Sequence, residues 1–304
     1  MVKEYYLDAL KQGYAIGAFN FSSLELLKAI ISASEESGAP VIAAVSEGAL
    51  KYIGKEYLKA MIEVVTAKTN KVIFHLDHGK TLEACQLAIS LGFDSVMIDA
   101  SSLSFEENVA LTKQVCLYTH ERGVFVEGEL GVLAGTEDDV HADESVYTDA
   151  KQAKEFVMLT SVDSLAVAIG TSHGPHKFLK EAKLNLNRLS EIQALIPNTP
   201  LVLHGASSVY EENTQIFNQY FGKLEGAKGV PDELLSDICT HYHVCKINTD
   251  TDLRICFLGA LKQSMAENPA EIDMRKHFQF AMNQTKELIK RKIKVFGFQK
   301  PFSN

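Results

Sequence analysis

Short runs of apolar and β-branched residues recur along the chain and alternate with amphipathic segments. The segments between the runs, such as 22–38 and 106–123, have apolar residues at helical spacing and end at glycine, which is a helix-stop signal. The apolar runs cover residues 14–20, 40–46, 71–78, 95–101, 124–130, 164–170, 200–206 and 244–250. Eight short strands that alternate with helices predict parallel βαβ units, and eight is the number of strands that closes a barrel.

The predicted fold is therefore an α/β protein with a single (β/α)8 TIM barrel, in which residues 1–304 form one domain. A long basic segment, residues 273–297, predicts an additional C-terminal helix after the eighth strand. A doubly wound open sheet is the alternative, but no GxGxxG motif follows the first strand.

Composition restricts the class of function. The chain carries 30 Lys and Arg against 39 Asp and Glu, and this net charge of -9 argues against a general nucleic-acid or anionic-membrane binder. The five cysteines are an odd number and contain no CxxC pair, which is typical of reduced thiols in the cytosol. No signal-peptide core or membrane-spanning run is present, so we expect a cytoplasmic protein.

Polar residues stand repeatedly where the predicted strands end. The active site of such a barrel lies at the carboxyl ends of its strands, so these side chains are expected to meet there. They are Asn20, Ser46, Glu47, His75, Asp77, His78, Asp99, Glu127, Glu129, Ser172, His173, His204, Asn248 and Asp250. Any one of them has an ordinary structural explanation, but their repetition on six or more strands predicts a functional site.

Three histidines from separate strands predict a metal centre. His78, His173 and His204 are each followed by glycine, and three neutral imidazoles with an open fourth position are typical of catalytic Zn²⁺. Asp99 and Glu129 could orient these histidines or line an alternative metal position.

Asp77 directly precedes His78 and is a candidate general base. A carboxylate beside a metal can accept a proton from a substrate hydroxyl while the metal stabilises negative charge. The alternative is a carboxylate that only holds a histidine in place.

Two segments have the small residues of a phosphate site, 205–208 after the seventh strand and 248–251 after the eighth. The corresponding loops are the usual phosphate site of this architecture. Arg254, one helical turn later, could bind a second phosphate, or could form an ordinary surface salt bridge.

Seven motifs in order resemble those of class II, zinc-dependent fructose-1,6-bisphosphate aldolase. The resemblance runs from about Gly17 to Gly297 and is specific as an ordered set. The motifs are GAFN, HLDHG, SVMIDAS, VEGELG, GTSHG, LVLHGASS and KINTDTDLR. It implies reversible cleavage of fructose 1,6-bisphosphate to dihydroxyacetone phosphate and glyceraldehyde 3-phosphate, a reaction of glycolysis and gluconeogenesis.

The resemblance also implies roles for individual residues. His78, His173 and His204 would bind the catalytic Zn²⁺, and Asp77 would move the proton of the C4 hydroxyl. Glu137, in the loop after the fifth strand, would move the proton at C3. The implied substrate contacts are Asn20, Ser46, Gly174, Gly205, Ser207, Asn248, Asp250, Thr251 and Arg254.

Further ligands follow from the same resemblance. Asp99 and Glu129 would line a second, inner divalent metal position, and a monovalent cation, Na⁺ or K⁺, would lie near the phosphate loops. The expected partners are small sugar phosphates and further copies of the chain in a homodimer or homotetramer, with no nucleic acid and no membrane.

The chain departs from the family pattern at two places. Residues 101–104 read Ser-Ser-Leu-Ser where relatives often carry histidines, so a supporting polar contact would differ. The loop 133–137 lacks the common Gly-Gly pair, which leaves Asp138 as a second candidate for the proton-moving role of Glu137.

Four alternative functions stay open at this point. Tagatose-bisphosphate aldolase is the nearest, although Asp250 favours the fructose type. A Schiff-base aldolase would use Lys246, the one lysine near the end of a predicted barrel strand. A metal-dependent hydrolase would carry an HxH pair on its first strand, which this chain lacks. The fourth is a non-catalytic barrel that binds metal or sugar phosphates.

Overall fold

The computed structural model describes residues 1–133, 135–137, 140–142, 146–174, 184–220, 222–224 and 226–299; the side chains of residues 136, 137 and 140–142 lie outside this description. Its strands are β1 Ile16–Asn20, β2 Val41–Ser46, β3 Val72–Gly79, β4 Ser95–Ile98, β5 Phe125–Leu130, β6 Gly135–Glu137, β7 Val140–Ala142, β8 Ser164–Val167, β9 Leu201–Leu203 and β10 Val244–Thr249.

Eight of these strands form a closed barrel in the order β1-β2-β3-β4-β5-β8-β9-β10, and β10 pairs with β1 to close it. Every pair around the barrel is parallel. The predicted eight-stranded α/β barrel is confirmed, and the alternative of an open sheet is wrong. The carboxyl ends of all eight strands consequently open at one mouth.

One helix precedes the first strand, and the helices that follow the barrel strands form an outer layer. The helices are α1 Val2–Gln12, α2 Leu24–Ser37, α3 Glu47–Ile53, α4 Lys55–Thr66, α5 Leu82–Ser90, α6 Phe105–His120, α7 Ala150–Thr160, α8 Leu186–Leu195, α9 Glu211–Gln219, α10 Asp232–His241, α11 Thr251–Glu267 and α12 Met274–Val295. The basic segment at 273–297 forms α12, as predicted. None of the helices in the described ranges has the length and apolar character needed to span a membrane.

Local sequence explains where several helices begin and end. The Ser104 hydroxyl accepts a hydrogen bond from the Glu107 amide, and the Glu107 carboxylate accepts one from the Ser104 amide, so α6 begins with a capping box. Helix α2 ends at Gly38, whose φ of 70° lies in the left-handed region that favours glycine. These signals fix the connections between strands and helices.

Two elements have no counterpart in the predicted pattern. Helix α1 packs across the amino ends of the barrel strands, where Tyr6 stacks on Phe125 with ring centroids 4.4 Å apart. The β6–β7 hairpin follows β5 and pairs residues 135–137 with residues 140–142. Helix α1 closes one end of the barrel interior, which leaves the opposite mouth for ligands.

Candidate active site

Three buried histidine rings converge at the carboxyl-end mouth. His78 is the penultimate residue of β3, His173 follows β8 and His204 follows β9. The His78 ring centroid lies 4.6 Å from that of His204 and 5.4 Å from that of His173. The structure thus brings the rings of all three predicted metal ligands to one mouth, although the ligand atoms of His173 belong to neither close group of donor atoms among the described residues.

Carboxylates orient two of these rings. Nδ1 of His78 donates to Oδ2 of Asp99 at 2.9 Å, and Nε2 of His204 donates to Oε1 of Glu127 at 2.7 Å. Each imidazole therefore keeps its second nitrogen for another ligand. Among the described residues, the buried Nε2 of His78 has no hydrogen-bond partner.

The surroundings of the two rings affect their protonation in opposite directions. Burial alone lowers the pKa of His78, but the nearby carboxylates of Asp77 and Asp99 outweigh burial and raise the pKa to about 10. Burial, followed by the proximity of His78 and Lys246, holds the pKa of His204 well below its usual range. A cation that binds Nε2 of His78 must therefore displace a proton.

The donor atoms suit a metal ion in two overlapping groups. Possible ligand atoms of Asp77, His78 and His204 lie within 4.8 Å of one another, and so do those of His78, Asp99 and Glu129. In the described part of the chain, buried Oε2 of Glu129 has no hydrogen-bond partner. Burial, followed by repulsion from Asp99, raises the pKa of Glu129 well above its usual range. The orphaned, buried donor atoms and their nitrogen and oxygen chemistry fit a divalent cation.

Lys80 also contacts the second of these groups. Its Nζ lies 2.5 Å from Oδ2 of Asp99, the oxygen that also accepts from His78. Ser101 donates to the other oxygen of Asp99 through its amide at 3.2 Å and its hydroxyl at 2.6 Å. The serine-rich segment at 101–104 therefore supplies a polar contact to Asp99.

Asp77 is held by two amide side chains. Nδ2 of Asn20 donates to one carboxylate oxygen at 2.7 Å, and Nδ2 of Asn248 donates to the other at 2.9 Å. The oxygen atoms of both amide groups are buried and have no hydrogen-bond partner in the described ranges. Asn20, Asp77 and Asn248 thus present unsatisfied acceptors beside the histidines, where a hydroxylated ligand could donate to them.

A buried ion-pair network lies beneath the histidines. Nζ of Lys246 donates to Oε2 of Glu127 at 2.7 Å and to Nε2 of His75 at 3.0 Å. Because Nε2 of His75 accepts, its Nδ1 carries the proton that it shares with the Ser95 hydroxyl at 2.8 Å. Lys246 is fully buried and doubly paired, which argues against its use as a Schiff-base nucleophile.

The two predicted phosphate loops lie side by side at the mouth. Gly205 has a φ of 63°, and a Cβ there would lie 2.6 Å from the backbone oxygen of Ser172, so only glycine suits this close approach. Gly174 also has positive φ, at 81°. Ser207 is buried after β9, and Thr251 begins α11 immediately after β10. The amino end of α11 favours an anion.

The remaining predicted contacts line the same mouth. Ser46 ends β2 beside Asp77 on β3. Nε of Arg254 lies 2.7 Å from Oδ2 of Asp250, and Arg254 is about half exposed whereas Asp250 is buried. The salt bridge proposed as the ordinary explanation for Arg254 is present, and it leaves part of the guanidinium at the surface.

The hairpin after β5 approaches the histidines. A Cβ at Gly135 would lie 2.4 Å from the backbone oxygen of His173, so β6 packs directly on the residue that follows β8. Glu137 ends β6, and its side chain lies outside the described part of the structure, as does all of Asp138. The choice between these two acids stays a prediction.

The sequence assigned no individual role to His75, Lys80 and Glu127, and it offered Lys246 only as a Schiff-base nucleophile. The alternation of side chains along a strand was the available signal, because His75 and Asp77 share one face of β3, and Glu127 and Glu129 share one face of β5. No comparable signal pointed to Lys80.

Comparison with known proteins identifies the family. A family model described as "Fructose-bisphosphate aldolase class-II" matches residues 1–300. This chain belongs to that family. The predicted resemblance is confirmed, and the protein is a lyase of the aldolase type.

Similar proteins cover nearly the full length of this class II aldolase. The fructose-bisphosphate aldolase of Helicobacter pylori is 43% identical over 298 residues, which cover 97% of this chain and 96% of the relative. That of Giardia intestinalis is 44% identical over 294 residues, which cover 95% and 90%. The crystal structure of the YdjI aldolase from Escherichia coli K12 has a TM-score of 0.76 and 31% identity, and the match covers 98% of this chain and 97% of that one.

Proposed function

We propose that this aldolase reversibly cleaves fructose 1,6-bisphosphate to dihydroxyacetone phosphate and glyceraldehyde 3-phosphate with the help of Zn²⁺. The observation that carries the proposal is the convergence of three buried histidines beside a carboxylate that is held by two asparagines. The family and the similarity to two fructose-bisphosphate aldolases support it.

His78, His173 and His204 would hold the zinc ion. The orientation of His78 by Asp99 and of His204 by Glu127 supports this role, because each frees one nitrogen toward the mouth. When bound, Zn²⁺ would supply a Lewis acid that stabilises the negative charge developing on the ketose when its C–C bond breaks.

Asp77 would accept the proton of the C4 hydroxyl during cleavage and return it during condensation. Its two hydrogen bonds from Asn20 and Asn248 fix the orientation of the carboxylate beside the histidines. Asn248 and Asn20 keep an acceptor oxygen each for substrate hydroxyls. Glu137, on the hairpin next to His173, would move the proton at C3.

The phosphate of the dihydroxyacetone half would lie between Gly174, Gly205, Ser207 and Thr251, with Ser46 at the same mouth. The positive end of α11 supports this placement. Asp250 and Arg254 would contact the other half of the sugar and its phosphate. A monovalent cation near these loops, a homodimeric or homotetrameric state, a cytoplasmic location and one domain over residues 1–304 stay predictions.

A coupled assay with fructose 1,6-bisphosphate and tagatose 1,6-bisphosphate in parallel tests the proposal. We expect cleavage of the fructose sugar, its loss with a chelator and its return with Zn²⁺. The variant Asp250→Ala should lower kcat/KM for the fructose sugar more than for the tagatose sugar, by about tenfold to a hundredfold, because it removes a hydrogen bond in a desolvated site. Full activity of metal-free protein would contradict the zinc assignment, and an unchanged ratio would contradict the role of Asp250.

A further inference from the structure

The C-terminal helix places a fully buried lysine against both proposed phosphate loops. Lys292 lies on α12, and its Nζ is 2.7 Å from Oδ2 of Asp252 and 2.6 Å from Oγ of Ser208. Asp252 follows Thr251 in the first turn of α11, and Ser208 follows Ser207 after β9. One ammonium group therefore joins three elements that are distant in the sequence.

Asp252 in turn holds the loop after β9. Its Oδ2 accepts from the Ser208 amide at 2.8 Å, and its Oδ1 accepts from the Val209 amide at 2.6 Å. Val209 has a φ of 49°, in the left-handed region that is unfavourable for a β-branched residue. A backbone in this conformation persists only where its surroundings enforce it, and Asp252 supplies that constraint.

The geometry gives Lys292 a defined electrostatic task. Both oxygens of Asp252 are used, and the side chain is almost fully buried, so its negative charge requires a counter-ion. Lys292 is the cation in contact with it. Without Lys292, the buried carboxylate would draw in water or turn outward, and either change would release the Ser208 and Val209 amides.

We propose that Lys292 is a positioning residue for the phosphate site. It keeps Asp252 in place, and Asp252 keeps the loop containing Gly205 and Ser207 in register with the loop containing Thr251. Lys292 itself touches neither the substrate nor the metal ligands. The inference rests on the proposed function, because it assumes that these two loops bind a substrate phosphate.

The test compares Lys292→Met with Lys294→Met, which removes an exposed lysine from the same helix. The measurements are the inhibition constant of inorganic phosphate, the KM and kcat for fructose 1,6-bisphosphate, and the zinc content. Lys292→Met should weaken phosphate inhibition and raise KM by about tenfold to a hundredfold, the scale at which displaced positioning groups act. Its zinc content should equal that of wild type, its kcat should change much less than its KM, and Lys294→Met should behave as wild type.

A double variant separates positioning from general stability. In Lys292→Met/Asp252→Asn no unpaired charge is buried, so the free energy of unfolding should recover toward that of wild type. The Asn side chain still cannot accept from both backbone N–H groups in place, because these point to different oxygens of Asp252 and the amide replaces one oxygen with an NH2 donor. Phosphate should therefore still inhibit the double variant only weakly. If Lys292→Met does not fold, the same measurements on the double variant test the inference.

The inference would be overturned if phosphate inhibited Lys292→Met as strongly as it inhibits the wild type. It would also be overturned if the double variant regained both wild-type phosphate inhibition and wild-type stability. A failure of the proposed function would give a different result. In that case the wild-type protein itself would not be inhibited by phosphate and would cleave no sugar bisphosphate.

Discussion

His204 donates a hydrogen bond from Nε2 to Oε1 of Glu127 across 2.7 Å, while the other oxygen of Glu127 is paired with Lys246. A carboxylate fixed by an ammonium on one side can only accept on the other, so the proton of His204 stays on Nε2. The lone pair of Nδ1 is therefore directed to the metal site by residues in the layer below.

Glu127→Gln should weaken zinc binding without loss of the fold. The amide keeps the shape of the side chain but removes the charge that His204 and Lys246 both use, and partners of this kind typically contribute roughly 10- to 100-fold in metal affinity. The measurement is the zinc dissociation constant by competition with a chelator. Glu121→Gln, at an exposed position, is the control, and equal zinc affinity in all three proteins would refute the role of Glu127.

Asp77→Asn should retain zinc and lose turnover. The side chain keeps its size between Asn20 and Asn248, but it can no longer accept a proton, so kcat should fall by roughly 10²- to 10⁴-fold. Zinc content and kcat are measured on the same preparation, with Asp237→Asn on the outer helix α10 as a control. Unchanged turnover would show that Asp77 is not the base.

Lys246 should not be trapped by borohydride in the presence of dihydroxyacetone phosphate. Its Nζ is fully buried and is paired with Glu127 and His75, so it is not exposed to the carbonyl group of a substrate. Intact mass after treatment should equal that of a sample without sugar phosphate. A mass increase located at Lys246 would revive the Schiff-base mechanism.

Lys80 should limit the inner metal position. The Lys80 ammonium group forms an ion pair with Asp99, one of the three possible metal ligands of the second group. Its positive charge repels a second cation at that position. We expect one bound zinc ion per chain in the wild type at moderate free zinc, and a second in Lys80→Met at lower zinc than the wild type requires. The measurement is the zinc content of the wild type, of Lys80→Met and of the control Lys51→Met after dialysis against buffered zinc. Equal zinc titration curves for the wild type and Lys80→Met would contradict the prediction.

The buried thiols should make the protein less stable in alkali. Burial raises the pKa of Cys85, Cys116 and Cys256 from 9.0 to about 12. The folded protein thus binds more protons than the unfolded chain above pH 9.0, so this stabilisation is complete below that pH and is lost as the pH rises toward 12. Urea unfolding between about pH 8 and about pH 10 should show the decline, and Cys85→Ala should reduce its slope. A free energy of unfolding that is constant or rising over this range is the contrary result.

The sequence predicted the barrel and the upper layer of the site because both depend on local pattern. Alternation and strand ends were enough to place Asp77, His78 and His204 at one mouth. The contacts of Lys246 could not be predicted, because they depend on which side chains of β3, β5 and β10 lie in the same layer of the barrel interior. Whether β3 presents His75 to Lys246 is a matter of barrel register, which single strands do not encode.

The role of Lys292 was unpredictable for a related reason. Its segment reads as a basic, solvent-facing helix, yet Lys292 is fully buried. Helical periodicity gives the face on which a lysine lies, but not the acidic partner, Asp252, that another part of the chain brings to that face. Helix α1 was missed although Val2, Tyr5, Tyr6 and Ala9 are buried at helical spacing, because the segment precedes the first strand and lies outside the alternation of strands and helices.

The pairing of β1 with β10 has a consequence for synthesis on the ribosome. Seven of the eight barrel strands are translated before the one that closes the ring, so two sheet edges stay unpaired until residues 244–249 have emerged. The closing strand also carries Lys246 and Asn248, which complete the layers around Glu127 and Asp77. A nascent chain therefore gains its last barrel strand and two side chains of the active site in the same event, and a product that ends before residue 244 lacks both.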